Sequence, residues 1–585
     1  MSRALLLGLT LAVATPAAAQ VDSAAPPPVR DTVTRDTVAV LLPPFALPIQ
    51  DGPLPHGIRF TFTADSLLFT NARTLSDLLG HIPGVYVVRG GWYGQAEIVL
   101  FGGKGAAAVV VYWDGVPYLP LGRDSVYLDL ARIPLAPLER VEVIVLPAEL
   151  QIYLVTARPR STAPLTQVGI LTGDQDIASY RAGYATRGRS GLGVALMADW
   201  NHLDGNPNTT TTGFDSNDLW LKAEYVPPGG RVGASLQIAA SSWHRRASSD
   251  SRVDGWRQQR RDRLLRVFLA AREDGLGFRF VGSLGTSAVE RDTLVPNRAI
   301  STANVELSHR WRRAAVGVRA RFGAAGAPSQ LEVNGSWQLW SRITVAAAAR
   351  QSRYANDISG ERAWASAGVR LPLGFSVRTD IAWQRDLQAP LAVAIPRRTA
   401  MERAGWVQFD HPRLSVAVGR GRRDAFTPFD FAAGIKPVDR LSTTPLSEFV
   451  AARASIRPVA GLTVSGWYFD AVVGGGDFEP PHHARLSATF YSKFWRVFRS
   501  GVFALRGEVA VESWSRWGLG GVGATGTVLP MGGATFVEAN VELQLVGVTL
   551  FWVIRNANGM RAAYVEGLGH PKSVQLYGAR WSFTN

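Results

Sequence analysis

The chain contains no cysteine among its 585 residues. That excludes a disulfide framework, a thiolate metal site and a cysteine nucleophile. It also lacks long apolar runs. The stretch from Ala106 to Trp113 falls far short of the roughly 20 residues that a membrane-spanning helix requires. A membrane role cannot rest on helices, which leaves a soluble secreted protein or a closed barrel. Acidic side chains are the minority charge: 47 Asp and Glu stand against 62 Lys and Arg, a formal net charge of +15. The positive residues are mainly scattered arginines without a compact basic helix or a nucleic-acid motif, so nucleic acid is not the implied partner. No serine or histidine sits in a nucleophile motif and no paired-carboxylate signature is present. Catalysis is not expected, and nothing in the sequence implies a cofactor.

What is present begins with an export signal over residues 1–19. Arg3 supplies the positive start, Leu5 to Val13 the short apolar core, and Ala17-Ala18-Ala19 a small-residue cleavage site before Gln20. Residues 20–56 form a Pro-, Ala- and Asp/Thr-rich lead of low packing potential. A compact mixed segment follows at 57–160. It has a short helix predicted over Thr74 to His81, ended by Pro83-Gly84. Strands are predicted at Val85 to Val88, Ile98 to Phe101, Val109 to Trp113, Val141 to Val145 and Ile152 to Val155.

From about Thr166 the pattern alternates with a period of two. In Leu331 to Leu339, Leu331, Val333, Gly335, Trp337 and Leu339 share one face, with Glu332, Asn334, Ser336 and Gln338 on the other. Val537 to Leu545 repeats this with Glu538, Asn540, Glu542 and Gln544. Each such strand separates an apolar face from a polar one, as in an outer-membrane barrel. A soluble sandwich alternates in the same way, so the links decide. Short turns, such as Arg187 to Ser190, Pro227 to Gly230 and Pro458 to Gly461, alternate with longer polar links, such as Leu203 to Asp215 and Arg420 to Leu446. Residues 161–585 therefore read as a transmembrane antiparallel barrel of about 22 strands, with about 19 residues per strand and link against about 10 for a tilted spanning strand. The C-terminal arrangement Gly578-x-x-Trp581-x-Phe583 resembles the terminal strand signal read by the barrel insertion machinery, except that Leu576 stands where a polar residue is usual.

Three motifs then suggest a family. Thr74-Leu75-Ser76-Asp77-Leu78-Leu79 with Ile82-Pro83-Gly84-Val85 resembles the opening of the TonB-dependent receptor plug. Val109 to Trp113 with Asp114-Gly115-Val116-Pro117 is similar to that plug's central strand and turn. Ile133-Pro134 with Leu138-Glu139-Arg140-Val141-Glu142-Val143 resembles its "ieriEV" segment. The resemblance implies an N-terminal α+β plug in the lumen of the barrel. It also implies an outer-membrane receptor that imports a scarce ligand of siderophore, cobalamin, glycan or peptide class. Upstream, Asp36, Thr37, Val38, Ala39 and Val40 are similar to a TonB box, which pairs with the energy-coupling protein TonB as an added strand. Asp31 to Thr34 offers a competing copy.

The chain departs from the family pattern at two arginines. Leu100-Phe101-Gly102 replaces the "iRG" motif, and Leu146-Pro147-Ala148-Glu149 replaces the segment carrying the second arginine. In the family these arginines face barrel glutamates and lock the plug by charge-assisted hydrogen bonds. Their absence leaves the mode of plug retention open and motivates an alternative, a plugged barrel without energy coupling that acts as a structural or adhesive surface protein. An open diffusion porin is a third option.

By the resemblance, ligand sits at the plug apex, where Arg89, Trp92, Tyr93, Lys104, Tyr118 and Arg123 offer stacking and anion contacts or simply fill the lumen. Arg245, Arg246, Arg252, Arg257, Arg260 and Arg261, with Arg263 and Arg266, crowd one external hairpin. They suit lipopolysaccharide phosphates, an anionic ligand or plain solvation. Asp477, Glu479, His482 and His483 share an external loop and have the side chains to hold a metal such as iron or zinc, or form an ordinary polar loop.

Overall fold

The computed structural model describes residues 57–584 except 92, 96, 103–107, 122–127, 206–211, 248–254, 273, 293–295, 355–357, 387–397, 426–445, 474–478, 495–496, 501, 520–528, 561–562 and 566–567.

The N-terminal unit is built from short apolar strands that cross one core. β1 (Ile58–Thr63) leads into α1 (Ala64–Phe69) and α2 (Leu75–Leu79). α2 is set by a capping box in which the Thr74 side chain and Asp77 answer each other's backbone donors. β2 (Val85–Arg89) and β3 (Glu97–Phe101) form a hairpin. β4 (Val109–Trp113), β5 (Val116–Pro117), β6 (Leu138–Leu146) and β7 (Glu149–Thr156) join β1 in a sheet ordered β1-β6-β7-β4-β5. Leu75, Leu78, Leu79 and Ile82 are fully buried against this sheet. Each contributes about 1.5–3 kcal/mol by leaving water.

The remaining chain closes a barrel of 22 antiparallel strands. Its first six are β8 (Leu165–Gly173), β9 (Ile177–Arg187), β10 (Leu192–Leu203), β11 (Phe214–Tyr225), β12 (Val232–Arg245) and β13 (Trp256–Ala270). The last strand, Val574–Thr584, pairs with β8 and leaves no free edge. A closed cylinder satisfies every ladder hydrogen bond internally, the condition for crossing lipid with strands.

The predicted alternation holds. Leu331, Val333 and Trp337 are exposed on the outer wall at 47%, 44% and 56%, whereas Glu332 and Asn334 are buried facing inward. The rhythm of the links holds with exceptions: Asp174 to Asp176 and Ala325 to Pro328 are tight links on the long-loop rim, and Lys493 to Phe503 is a longer one on the short-turn rim. Leu576 has a reason to be apolar. It is 1% exposed and packs inward with Leu171, Leu203, Phe551 and the plug residue Tyr93. Phe583 faces outward, half exposed.

Candidate functional site: the plug seat and the lumen apex

The β6–β7 turn, Pro147-Ala148, lifts Glu149 against the barrel wall, where its carboxylate has no exposure to solvent. Two guanidinium groups meet it there. Arg350 is bidentate on it, one arm at 3.2 Å, and Arg362 adds a further ion pair. Burial alone would push the Glu149 carboxyl up, but Arg350 and Arg362 outweigh it and hold it below the ordinary carboxylate range. Beside it, the Ala148 N–H donates to Glu402 Oε2 at 2.6 Å, Tyr112 and Tyr153 stack at 4.7 Å, and Arg350 donates to the Tyr112 hydroxyl at 3.5 Å. The missing arginines therefore do not leave the plug unlocked. The lock has reversed polarity, with the carboxylate on the plug and the arginines on the barrel. Sequence reading noted Glu149 only as a departure from the pattern. The missed signal was a lone acid at the tip of two apolar strands.

A second contact forms at the Asp114-Gly115 turn between β4 and β5. Asp114 accepts from the Thr156 N–H at 3.0 Å, from Thr156 Oγ1 at 2.6 Å and from the barrel residue Gln237. Lys222, 1% exposed on β11, donates to Thr156 Oγ1 at 3.2 Å and pairs with Glu224 at 3.3 Å. Burial opposes ionisation of Asp114, yet Lys222 and Arg266 outweigh it and keep its carboxyl below the usual range.

The predicted apex residues divide. Trp92, Lys104 and Arg123 lie outside the described residues. Arg89 is committed within the plug: Nη2 lies 2.7 Å from Asp77, and Nε lies 3.7 Å from Glu97. Its neighbour Glu97 accepts from Thr74 Oγ1 at 2.6 Å, and burial, opposed by Arg89, moves its carboxyl up to about 7. Tyr93 and Tyr118 do face barrel groups. Tyr93 meets Phe214 edge-on and carries Arg73 over its ring at 5.1 Å. Tyr118 stacks on Trp113 and lies under Arg260 at 3.6 Å. Arg132, which the sequence did not single out, covers Trp256 at 3.5 Å. Three arginine–aromatic contacts thus line the long-loop mouth of the lumen.

The crowded arginines of the β12–β13 hairpin do not act as one loop, because strand alternation sends neighbours to opposite faces. Arg245, Arg260 and Arg266 are buried on the inner face, Arg260 donating to the Leu119 carbonyl at 2.9 Å. Arg257, Arg261 and Arg263 face outward. Arg246 lies 3.5 Å from Asp204, and Arg252 lies outside the described residues.

Of the suggested metal group, the described members Glu479, His482 and His483 are each engaged with different partners. Glu479 is paired with Arg423 at 2.7 Å. His482 is exposed beside Asp470, while His483 is buried against Glu512 at 2.9 Å and the Trp467 ring. Asp477 lies outside the described residues, among which no cluster of three such ligands occurs. The TonB-box candidate Asp36 to Val40, its competing copy and the export signal likewise lie outside the described residues.

Comparison with known proteins bears on this geometry. Residues 57–152 match the TonB-dependent Receptor Plug Domain family. No curated protein matches the chain. Among solved structures, a mutant of the ferric enterobactin receptor (PfeA) from Pseudomonas aeruginosa shares 11% identity, covering 91% of this chain and 99% of that one, at a TM-score of 0.69. The FrpB iron transporter from Neisseria meningitidis shares 10% identity over 90% of this chain and 99% of that one, at 0.70. The copper transporter OprC shares 11% identity over 90% and 100%, at 0.68. At such identities the likeness is one of fold.

Proposed function

The chain carries a TonB-dependent receptor plug inside a 22-strand outer-membrane barrel, and from that premise we propose that it imports a scarce small ligand with energy delivered by TonB. The observation that carries this reading is the plug seat. A buried Glu149 held by Arg350 and Arg362 fastens the plug to the barrel wall, so displacing the plug requires work. The plug is held by this ion pair together with apolar packing, in which Tyr112 and Tyr153 meet Ala348, Trp364 and Ala382 and Leu119 and Leu121 meet Val289 and Ile300; the charges can be rehydrated as the contact opens.

The mouth favours a ligand with anionic and planar groups. Arg73 and Arg132, each over an aromatic ring, are partly exposed and offer cationic and apolar groups together, while Arg260 over Tyr118 is buried and paired with Asp262 at 2.9 Å. Of the siderophore, cobalamin, glycan and peptide classes, a siderophore best combines the two. The structures of similar fold include a ferric enterobactin receptor and an iron transporter. Two partners belong to this reading: TonB at the N-terminal lead, and the barrel insertion machinery at the strand ending in Phe583.

The test is uptake of ferric siderophores by cells producing the chain under iron limitation. Uptake should require TonB and should be lost with Val38→Pro, since proline removes a donor from an added strand. Uptake indifferent to both, with no capture of TonB by the N-terminal lead, would instead establish the decoupled structural or adhesive protein.

A further inference from the structure

Five consecutive barrel strands, Arg298–Arg310, Ala314–Ala324, Ser329–Leu339, Ile343–Arg353 and Ser359–Arg370, carry a row of charged side chains on the lumen face. The register places Glu306 opposite Arg319, Arg319 opposite Glu332, Glu332 opposite Arg350 and Arg350 opposite Arg362. The sign alternates as far as Arg350 and then repeats. Unlike neighbours attract and directly opposed like charges repel, so the step from Arg350 to Arg362 is the unfavourable one in the row. The ion pairs follow the pattern: Arg319 lies 3.1 Å from Glu306, and Arg350 lies 3.8 Å from Glu332.

The plug supplies an acid at that step. Glu149 forms ion pairs with both Arg350 and Arg362. Its Oε1 accepts from Arg350 at 3.2 Å and from Gln151 at 2.7 Å, and its Oε2 accepts from Arg350 and Arg362. Three of these four hydrogen bonds come from the barrel and one from the plug itself. The carboxylate is in effect a ligand of the barrel wall, tethered to the plug.

Barrel residues also hold the site in shape. Arg350 is set by Glu332 on one side and by Trp364, whose ring centroid lies 5.1 Å from the guanidinium carbon. Trp364 follows Arg362 on the same face of its strand, and Ala348 and Ala382 pack beside it. A guanidinium fork fixed in this way is preorganised for a planar anion with two oxygens.

We propose that Arg350 and Arg362 form a carboxylate-binding site of the lumen wall, filled by Glu149 in the closed molecule and taken over by a carboxylate of the ligand when the β6–β7 hairpin withdraws. The role in passage rests on the import reading above. Exchange of one carboxylate for another leaves both arginines compensated, which lowers the cost of opening the seat. A neutral ligand offers no such replacement, so the exchange favours an acidic one.

The experiment uses the purified full chain in detergent, with sodium acetate as the probe and sodium chloride at equal ionic strength as the reference. The readout is the rate of plug proteolysis at a fixed, sub-denaturing urea concentration, which tracks the opened population. Barrel integrity is read separately from the shift in gel mobility between heated and unheated samples. In the wild type Glu149 keeps acetate out of the closed form, so acetate binds the opened form and should speed cleavage at least about threefold, with saturation. In Glu149→Ala, which removes the group that acetate replaces, the sign should reverse: acetate fills the seat and slows cleavage by a similar factor. Adding Arg350→Gln and Arg362→Gln to either chain should abolish the effect. If Glu149→Ala does not give an intact barrel, Arg362→Gln alone leaves Arg350 on Glu149 and should lose most of the acceleration. No acceleration in the wild type, the same sign in both chains, or an undiminished effect without the arginines would overturn the proposal. Neither TonB nor uptake enters the measurement, so its failure leaves the import reading standing, and a chain that imports nothing still shows the acetate exchange if the site exists.

Discussion

At Glu149 one carboxylate without solvent contact faces two guanidinium groups, and removing it takes the nearest acid from both, Arg350 keeping Glu332 at 3.8 Å. Breaking such a pair typically costs about 3–5 kcal/mol, more than the intact pair contributes relative to an apolar pair. Glu149→Gln is therefore expected to lower plug stability by about 3 kcal/mol, measured as earlier denaturant-induced proteolysis of the plug with the heat-modifiable barrel unchanged. Glu97 gives a pH dependence of defined sign. Its carboxyl is raised by burial to about 7 in the folded plug, so the folded state binds the proton more tightly than the unfolded state. Its contribution is fully present below the ordinary carboxylate range and is lost as pH rises towards 7. The plug's unfolding midpoint should fall between pH 4.5 and 7, and Glu97→Gln should flatten that slope. A slope unchanged in the variant would contradict the assignment.

At the level of elements, the β6–β7 hairpin does its work through backbone geometry. Ala148 adopts a positive φ of 67°, and its N–H donates to Glu402. Ala148→Gly relieves the left-handed strain and should be neutral or slightly stabilising. Ala148→Pro removes the donor and forbids the conformation, at an expected cost of about 3 kcal/mol or more. Thermal unfolding of the two variants side by side tests this. Alternation along strands also explains two failures of sequence grouping. Neighbours such as His482 and His483, or Arg260 and Arg261, are adjacent in the chain but occupy opposite faces of the barrel wall. Added zinc or iron(II) should accordingly leave the unfolding temperature unchanged within error in both the wild type and His482→Ala. A metal-dependent rise in the wild type alone would restore the metal site.

For the whole molecule, closure of the barrel and occupation of its lumen set the permeability. Deleting residues 57–156 should turn a bilayer-inserted protein with no large steady conductance into an open pore, whereas the intact chain should remain closed. A large pore in the intact chain would favour the diffusion porin.

The barrel was legible in the sequence because lipid and lumen impose opposite polarity on alternate residues, and because the rims impose opposite link lengths. Both are local patterns, and they gave 22 strands without any contact being known. The plug was legible through three motifs whose turns and apolar strands are likewise local. The lock was not. Its partners, Glu149 with Arg350 and Arg362, lie some 200 residues apart in sequence, and an ion pair depends on which faces meet after closure. For the same reason, tertiary structure alone decided which arginines of one hairpin turn to the plug and which to the lipid. Period-two patterning states that neighbours part company, but only the closed, plugged cylinder determines what each then meets.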